Sequence, residues 1–457
     1  MKHFLFSISI VLLWIVSCSY EEENAFFDLE TGVVSITDTI RFDTLLAGRE
    51  SFVQRTRLYN RSNQDLTIDN IALRRGEASP YQIIINGSAS KAHPSIRVAK
   101  NDSLLLLVNL NAKIQEDEWI TEVSDRIEWK NPLTDDIQSI VLQSWAVSAD
   151  EKTNSSICDE NWSNNSATLV TDTLLVEANC HLTIDAGARV FFDPNAVLFV
   201  AGSLTITGTN ENPVILRSSR MDNRYKQAPG LWNGVYFLEG SHDNHLSSAI
   251  IENSETGLRL GTPDNDTIAD LIIENSIIRH SSRFGIQAYN SDIKSTNLLI
   301  YDIGLVPSFH AIGGSYYYEH CTISNFPSQL GSQEPSMVLA DHLITESETF
   351  QDQLVVDIKN SIFYTGASSS DLVVSTINNT NSVRLFNNLV FSNEEIRQNI
   401  TNEALDFVHF VDPFSFDYRL DSISPAIDAS IGSEVRVDLH GNLRDSIPDL
   451  GAIEFLH

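Results

Sequence analysis

Five side chains able to do acid, base or ion-pairing chemistry recur at matching places of one repeated phrase. Glu252, Arg279 and Tyr301 hold its fifth position, and His280 and Asp302 hold its sixth. In a polysaccharide lyase, basic groups neutralise a uronate and a Lys, Arg or His takes the proton. In a glycoside hydrolase, two carboxylates about 5 to 9.5 Å apart act together. Arg279, His280, Asp302 and Glu252 are therefore the candidate catalytic residues.

The same residues have a structural interpretation. Glu252 and Arg279 can pair across neighbouring turns of a repeat, a contact worth about 0.2–1 kcal/mol. His280 and Asp302 close the phrase, where small polar side chains satisfy the backbone of a turn. The sequence leaves both interpretations open, and it favours the structural one.

The phrase is six residues long and recurs six times. Its copies begin at Ser248, Asn275, Asn297, His320, Asn360 and Asn388, which are 27, 22, 23, 40 and 28 positions apart. The fourth position is always Ile or Phe, and polar residues usually close both ends. A short apolar strand at such a period predicts a solenoid, in which each turn buries its face on its neighbours. Alternation along a strand predicts that positions two and four face inward, with Ile278 as an example.

The outer face holds the candidate binding residues. Position five forms a column of Glu252, Arg279, Tyr301, Ser324, Tyr364 and Ser392, which we expect to face solvent. Arg279 could bind a ligand, and Tyr301, Tyr364 and Trp232 could stack on sugar rings; for Trp232, core packing is favoured. Position three is mostly apolar, with Val390 assigned to it in the last copy. Either a loop, such as residues 327–350, covers this position, or it belongs to a groove.

Composition excludes some partners. The formal net charge is -31, with 30 Lys and Arg against 61 Asp and Glu. Nucleic acid is not expected as a partner, because phosphate binding needs clustered basic residues. Hydrophobic residues make up 42% of the 457 residues, which is typical of a globular protein.

The N-terminus predicts export. A basic start and an apolar run too short to span a bilayer form a signal peptide at residues 1–17. Ile15 to Cys18 resembles the lipobox of bacterial lipoproteins, which implies lipidation at Cys18 and a membrane partner through that lipid anchor. Glu21–Glu23 resembles the acidic export signal of Bacteroidota-type surface lipoproteins. Residues 18–30 are predicted to be a tether, and the predicted location is the outer membrane, exposed on the cell surface.

Three further segments and a cap follow. Short alternating strands separated by turn residues predict a β-sandwich at 31–150. An Asn- and Ser-rich stretch at 151–180 is predicted to be a linker. The solenoid is assigned to 181–408, and its C-terminal cap to 409–457. Cys158 and Cys180 are the pair of cysteines closest in sequence, and Cys321 is predicted to be a small core residue.

Several motifs resemble known families. Short strands at about one turn per 22 residues resemble the right-handed parallel β-helix of the pectin-lyase-like class. Pro229–Gly234 and Gly313–Ile323 look like signatures of uncharacterised β-helix lipoproteins from Bacteroidota, and residues 424–454 are similar to the "choice-of-anchor Q" ending of exported β-helices. The order of motifs around Leu58–Asn60 and Leu66–Ile71 resembles Ig-like sandwich domains. These resemblances imply an all-β chain with an Ig-like domain followed by a β-helix, and they imply no established activity.

The expected function is non-catalytic binding or adhesion at the cell surface, with a polysaccharide as the expected ligand. The alternative is a polysaccharide lyase or glycoside hydrolase acting in a groove of the same scaffold. No cofactor is expected, since no Cys or His spacing predicts a metal site. Thr262–Asp266 is an acidic loop that could hold calcium, although it lacks a Gly at the turn that such loops use.

Overall fold

The structure is a computed structural model that describes residues 32–112, 119–261, 271–326, 334–365, 371–390 and 408–456. These residues form β-strands joined by turns, with two 3₁₀ helices at Gly76–Ala78 and Pro413–Ser415 and no α-helix among them. The all-β prediction is confirmed, and the long parallel sheets fit a β-helix. The predicted signal peptide, Cys18 and the tether at 18–30 lie outside the described residues.

The chain divides into two compact units. The first contains the described residues up to Ile40, together with Val53–Asn109 and Asp125–Leu142. The second contains Arg41–Phe52, Leu110–Ser124 and everything from Gln143 onward. Three segments within the predicted 31–150 domain therefore belong to the second unit, namely Arg41–Phe52, Leu110–Ser124 and the residues from Gln143 onward.

The chain begins with eleven strands in two mainly antiparallel sheets. They are β1 (Val33–Ser35), β2 (Thr39–Arg41), β3 (Leu45–Leu46), β4 (Gln54–Asn60), β5 (Leu66–Leu73), β6 (Tyr81–Ile85), β7 (Ser88–Ser90), β8 (Ala92–Val98), β9 (Ser103–Leu110), β10 (Ile120–Lys130) and β11 (Ile137–Val147). The five-stranded sheet has the order β1-β4-β9-β6-β7. The six-stranded sheet has the order β2-β11-β10-β5-β8, with β3 beside β11. Every second residue of β6 and β9 is buried, as expected for a sheet with one covered face.

Nine three-sided coils and the start of a tenth follow in the described residues. The first five coils have three strands each: β12 (Ala149–Lys152), β13 (Ser155–Ile157) and β14 (Glu160–Trp162); β15 (Ala167–Val170), β16 (Thr173–Val176) and β17 (His181–Asp185); β18 (Arg189–Phe192), β19 (Val197–Val200) and β20 (Ser203–Thr207); β21 (Val214–Ser218), β22 (Gly234–Phe237) and β23 (Asn244–Ser247); β24 (Ala249–Glu252), β25 (Thr256–Leu260) and β26 (Leu271–Glu274). The sixth and seventh coils have two strands each: β27 (Ile277–Ser281) and β28 (Phe284–Thr296); β29 (Leu299–Ile303) and β30 (Val306–Glu319). The eighth coil contains β31 (Thr322–Ser324), β32 (Met337–Ala340), the hairpin β33 (His342–Ile344) and β34 (Thr349–Gln351), and β35 (Leu354–Lys359); the ninth contains β36 (Ile362–Tyr364), β37 (Leu372–Ser375) and β38 (Ser382–Phe386); and the tenth begins with β39 (Leu389–Val390). A final hairpin consists of β40 (Phe410–Asp412) and β41 (Asp417–Leu420).

The coils stack into three faces. The first face is the ten-stranded parallel sheet from β12 to β39, which takes one strand from each coil. The second face runs through β13, β16, β19, β22, β25, the first halves of β28 and β30, β32 and β37. The third face runs through β14, β17, β20, β23, β26, the second halves of β28 and β30, β35 and β38.

The predicted linker at 151–180 is wrong. Strands β12 to β16 pair in parallel with the coils that follow them, so these residues build the first two coils. A disulfide between Cys158 and Cys180 joins the first coil to the second. The abundance of Asn and Ser reflects the turns between short strands.

The repeated phrase forms the first face, and its inward positions are confirmed. The position-four side chains Ile251, Ile278, Ile300, Ile323 and Phe363 are paired coil to coil and are at most 1% exposed. The sixth copy was assigned one residue too late. Leu389 pairs with Ile362, and Val390 pairs with Phe363, so Val390 occupies position four and Leu389 occupies position three.

Polar residues turn the chain at both ends of the phrase. The first residues of the copies have positive φ, at Ser248, Asn275, Asn297, His320, Asn360 and Asn387. The closing residues Asn253, His280 and Asp302 do so as well. Asn, Asp and His tolerate this conformation better than bulky residues do, which explains why polar residues bound each copy.

Candidate functional site

The predicted position-five column is a chain of ion pairs and hydrogen bonds. Glu252 lies between two guanidinium groups, 3.2 Å from Nε of Arg217 and 2.6 Å from Nη2 of Arg279. Arg279 also donates to the hydroxyl of Tyr301 at 2.8 Å. Burial lowers the pKa of Arg279, but Tyr301 and Glu252 outweigh it and hold that pKa above its usual value. Arg279 therefore keeps its proton and is unsuited to act as a base.

His280 and Asp302 form a second pair on the adjacent coils. Nδ1 of His280 lies 2.6 Å from a carboxylate oxygen of Asp302, and both side chains are buried. The imidazole packs edge-on against Tyr301 and Phe416, with ring centroids 5.8 and 5.0 Å away. The structure thus brings the four candidate catalytic residues close together, but it encloses His280, Asp302 and Glu252.

The C-terminal segment, residues 408–456, covers the later coils of the first face. Leu299, Tyr301, Ile362 and Leu389 pack in one apolar cluster with side chains of this segment, including Val408, Phe410, Tyr418, Leu450 and Ala452. The expectation that the position-five column faces solvent is therefore wrong for Glu252, Tyr301 and Ser324, which are at most 3% exposed. The apolar third-position residues Ile277, Leu299, Ile362 and Leu389 pack in the cluster that the C-terminal segment completes. The described part of 327–350 instead contains β32, which belongs to the second face, and the β33–β34 hairpin.

Hydrogen bonds to the turn residues fix this cover. Asn297 donates to the carbonyl of Val437 at 2.8 Å, and Asn387 donates to that of Ala429 at 2.7 Å. Asn360 both donates to the carbonyl of Ile431 and accepts from its N–H, each at 3.1 Å. Three amides at the first position of the phrase thus bind backbone groups of the C-terminal segment.

Charged residues of the 424–454 stretch hold the cover together from within. Arg444 forms a buried ion pair with Glu454 at 2.8 Å and donates to the carbonyl of Gly451 at 2.9 Å. Asp438 accepts the backbone N–H groups of His440, Asn442 and Glu454. Burial raises the pKa of Asp449 to about 6. These residues have a structural role in the described cover.

The two other aromatic candidates, Trp232 and Tyr364, also pack against neighbouring side chains. Trp232 is 1% exposed, stacks on Phe192 with ring centroids 3.9 Å apart, and donates its indole N–H to the carbonyl of Glu252. Tyr364 is half-buried beside Phe326 and Phe410. For Trp232, the favoured interpretation of core packing is confirmed.

The second face carries an outward stripe of side chains that the sequence did not predict. Phe199, Tyr236, Arg259, Gln287 and Phe309 pair in register on five successive coils. All five side chains are partly exposed, and neighbouring coils of a parallel sheet lie about 4.8 Å apart. The signal that could have found this stripe is alternation around the buried partners Leu198, Val235 and Leu258.

Within the outward stripe, rings and guanidinium groups contact each other. Phe199 and Tyr236 pack edge to face at 5.8 Å. The guanidinium of Arg259 lies over the rings of Tyr236 and Tyr289, 5.6 and 6.0 Å from their centroids. No carboxylate among the described residues lies within ion-pair distance of Arg259. Stacking on two rings therefore leaves its N–H donors available to a ligand.

Polar groups at the edge of the stripe add further donors. Gln287 donates its amide to the hydroxyl of Tyr289 at 2.8 Å. Burial, followed by the charge of Glu255, raises the pKa of Tyr236, and burial raises the pKa of Tyr289. Both phenols thus remain protonated at neutral pH and can donate hydrogen bonds. The stripe combines partly exposed aromatic rings with a guanidinium group, hydroxyls and an amide.

The third face is polar and is dominated by pairs between neighbouring side chains. His245 lies 3.3 Å from Glu274, and Lys359 lies 3.0 Å from Glu319. Lys294 and Lys359 both approach the ring of Tyr317, at 5.7 Å. Because these polar groups are paired with one another, they leave fewer free donors and acceptors for a ligand than the outward stripe does.

Among the described residues, no group of three or more His, Cys, Asp or Glu side chains could hold a metal ion. The candidate calcium loop Thr262–Asp266 lies outside those residues. No helix in the described ranges is long and apolar enough to cross a membrane.

Comparison with known proteins gives little. No protein-family model matches the chain, and no curated protein sequence does. Among solved structures, the PapD-like domain 7 of human CEP192 is 14% identical, covers 29% of this chain and 98% of its own, and has a TM-score of 0.19. The YadV chaperone is 12% identical over 26% of this chain and 52% of its own, with a TM-score of 0.18. A family 123 glycoside hydrolase from Clostridium perfringens is 9% identical over 24% of this chain and 23% of its own, also at 0.18. TM-scores this low support no conclusion about fold or activity.

Proposed function

We propose that the protein binds an acidic polysaccharide along the outward stripe and does not cleave it. The observation that carries the proposal is the register of Phe199, Tyr236, Arg259, Gln287 and Phe309 on successive coils. Aromatic side chains offer apolar faces on which sugar rings stack, and their polar tips add hydrogen bonds. A linear chain laid across the coils meets a new side chain at every rung.

Arg259 supports an acidic ligand. Its guanidinium group is planar and always charged, and it matches the geometry of a carboxylate or a sulfate. The chain as a whole carries a charge of -31, so an acidic polymer would be repelled by most of the surface. A cation without an ion-pair partner in the described residues therefore supplies local attraction where the rings are exposed.

Binding without catalysis is favoured by what surrounds the predicted catalytic residues. Glu252, His280 and Asp302 are at most 3% exposed, with His280 packed against Phe416 of the C-terminal segment and Glu252 enclosed between Arg217 and Arg279, so a polysaccharide has no access to them in this conformation. Arg279 is held by Glu252 and Tyr301. The lyase or hydrolase alternative would have to use a different part of the scaffold.

The proposal also includes a cellular location and finer fold assignments. We infer a lipoprotein anchored through Cys18, with a signal peptide at 1–17, exposed at the outer membrane surface. The lipobox resemblance supports this address, and the Cys158–Cys180 disulfide supports an oxidising compartment. An Ig-like sandwich, a right-handed β-helix and a "choice-of-anchor" ending complete the proposed organisation.

The test is titration calorimetry of the ectodomain with polygalacturonate, chondroitin sulfate and a neutral glucan. We expect Tyr236→Ala and Phe309→Ala each to weaken binding about two- to tenfold, since an aromatic contact is worth about 0.5–1.5 kcal/mol. Arg259→Gln should weaken binding of the acidic polymers and leave the neutral glucan unaffected. Phe386→Ala is the matched control, because Phe386 is 41% exposed on the third face.

Product analysis separates binding from catalysis. New unsaturated or reducing ends that disappear in Arg279→Ala or His280→Ala would overturn the non-catalytic proposal. If wild type and Tyr236→Ala bind the polysaccharide equally well, the ligand does not bind along the outward stripe. For the anchor, Cys18→Ala should release the protein from membranes and change its electrophoretic mobility; unchanged fractionation would contradict the lipoprotein assignment.

A further inference from the structure

The five-stranded sheet of the first unit has an incomplete edge. Strand β4 pairs with β9 from Gln54 to Tyr59, but its other neighbour, β1, pairs only with Leu58–Asn60. After Ser35 the chain turns away, and the carbonyl of Asp38 accepts a hydrogen bond from the N–H of Val141. Among the described residues, the backbone of Gln54–Arg57 therefore has no strand partner on that side.

An open groove lies at this edge. It has a volume of about 510 Å³ and is lined by Ile36, Thr37, Arg55, Thr56, Arg57, Tyr59 and Leu105, all from the first unit. Ile36 is 62% exposed and Leu105 is 38% exposed, so the groove presents apolar surface to solvent. A cavity of this size is within the range of ordinary ligand sites.

The two arginines of the groove are not neutralised. Arg57 donates to the hydroxyl of Ser103 at 2.9 Å. Neither Arg55 nor Arg57 has a carboxylate within ion-pair distance among the described residues. Two other exposed arginines of the same unit do, since Arg74 pairs with Glu128 and Arg97 pairs with Asp65. In a chain with about two acidic residues for every basic one, unpaired neighbouring arginines on one strand stand out.

We propose that this groove is a docking site for an extended acidic peptide segment of a partner protein, which adds as a strand to the edge of β4. An open strand edge is satisfied by another peptide backbone. Carboxylates of the segment pair with Arg55 and Arg57, and an apolar side chain contacts Leu105 and Ile36. An anionic lipid surface offers the charge but not the backbone, so the peptide is the occupant that satisfies both features.

The probe for the test is the fluorescein-labelled heptapeptide Thr-Asp-Val-Glu-Val-Asp-Thr, followed by fluorescence anisotropy with the ectodomain. We expect saturable binding that weakens with salt, and at least a tenfold loss in Arg55→Ser/Arg57→Ser. Arg74→Ser/Arg97→Ser removes the same charge elsewhere on the unit and should bind within about twofold of wild type. Replacing both Val residues of the peptide by Pro keeps its charge, removes backbone donors and should abolish binding.

Three outcomes would overturn the proposal. The first is equal binding of the Pro-containing peptide, which would reduce the site to simple charge attraction. The second is a wild-type protein that shows no saturable binding up to about 1 mM peptide. The third is sedimentation with phosphatidylglycerol vesicles that depends on Arg55 and Arg57 and is not displaced by the peptide. None of these three results bears on polysaccharide binding, because every variant in this experiment keeps Tyr236 and Arg259.

Discussion

Arg444 donates a hydrogen bond to Oδ1 of Asn297 at 2.8 Å, although 147 residues separate them along the chain. Asn297 in turn donates to Asn275 on the preceding coil and to the carbonyl of Val437. One amide thus joins the row of turn residues, the cover and the buried ion pair of that cover. The solenoid face and the C-terminal segment are therefore expected to be stable or to unfold together.

Arg444→Met tests this coupling. The substitution leaves Glu454 buried without its cation, which typically costs about 3–5 kcal/mol of unfolding free energy. We expect a single, strongly lowered transition in urea, measured by circular dichroism. Arg419→Met is the control, because Arg419 pairs with Asp417 at an exposed site, and it should leave the midpoint unchanged. Recovery of stability in Arg444→Met/Glu454→Met would support the ion-pair explanation, whereas a wild-type midpoint in Arg444→Met would contradict it.

His310 predicts a dependence of stability on pH. It is fully buried against Ser308 and Tyr318, and burial lowers its pKa to about 3. Because the folded state holds the imidazole neutral, its contribution to stability is complete above the unfolded pKa of about 6.5 and is lost as pH falls toward 3. Within that window the loss approaches about 1.4 kcal/mol per pH unit.

The measurement is a series of urea midpoints between about pH 3.5 and 7.5. His310→Gln cannot take up this proton, so its stability should fall less steeply with acidification than that of wild type. His242→Gln removes an exposed imidazole and should follow the wild-type slope. Parallel curves for wild type and His310→Gln would show that the buried imidazole does not control acid stability.

The inward orientation of position four can be tested by placing the same charged side chain at a buried site and at an exposed site. Ile278 is 0% exposed at position four, and Ile272 is 41% exposed on the third face. Ile278→Asp places a carboxylate in the apolar interior at a cost of several kcal/mol, so the ectodomain should fail to fold. Ile272→Asp should melt like wild type. A folded Ile278→Asp protein would mean that position four does not face the core.

The Cys158–Cys180 disulfide is expected to stabilise the first two coils. It closes a loop of 22 residues, for which loop-closure entropy gives about 3 kcal/mol. Dithiothreitol should lower the thermal midpoint of wild type and have no effect on Cys158→Ser/Cys180→Ser. If reduction leaves the wild-type midpoint unchanged, the bond contributes nothing to global stability.

Periodicity identified the parts of the fold that repeat. Ile278 and Cys321 were placed in the core correctly, because the phrase carries one inward pattern on every coil. The sixth copy slipped by one residue because Asn387 and Asn388 form a doublet, and Phe391 also satisfies the rule for position four. A slip of one residue exchanges inward and outward side chains.

The rest was not predictable because it does not repeat. Arg444 lies outside the repeated phrase to which Asn297 belongs. No local sequence pattern therefore predicts that the C-terminal segment covers coils of the first face. Most coils also have two further strands of varying length, and in two coils a single long strand, β28 of 13 residues or β30 of 14, runs across both remaining faces. Tyr236 and Arg259 lie on those strands, outside the phrase, and only the pairing register aligns them.

The C-terminal cover is translated after the coils that it covers. Until residues 408–456 have been synthesised, Leu299, Ile362 and Leu389 lack the apolar partners that this segment supplies, and the apolar face that they share is left uncovered by it. Copies that end prematurely would therefore carry an exposed apolar strip that folding factors and proteases can recognise.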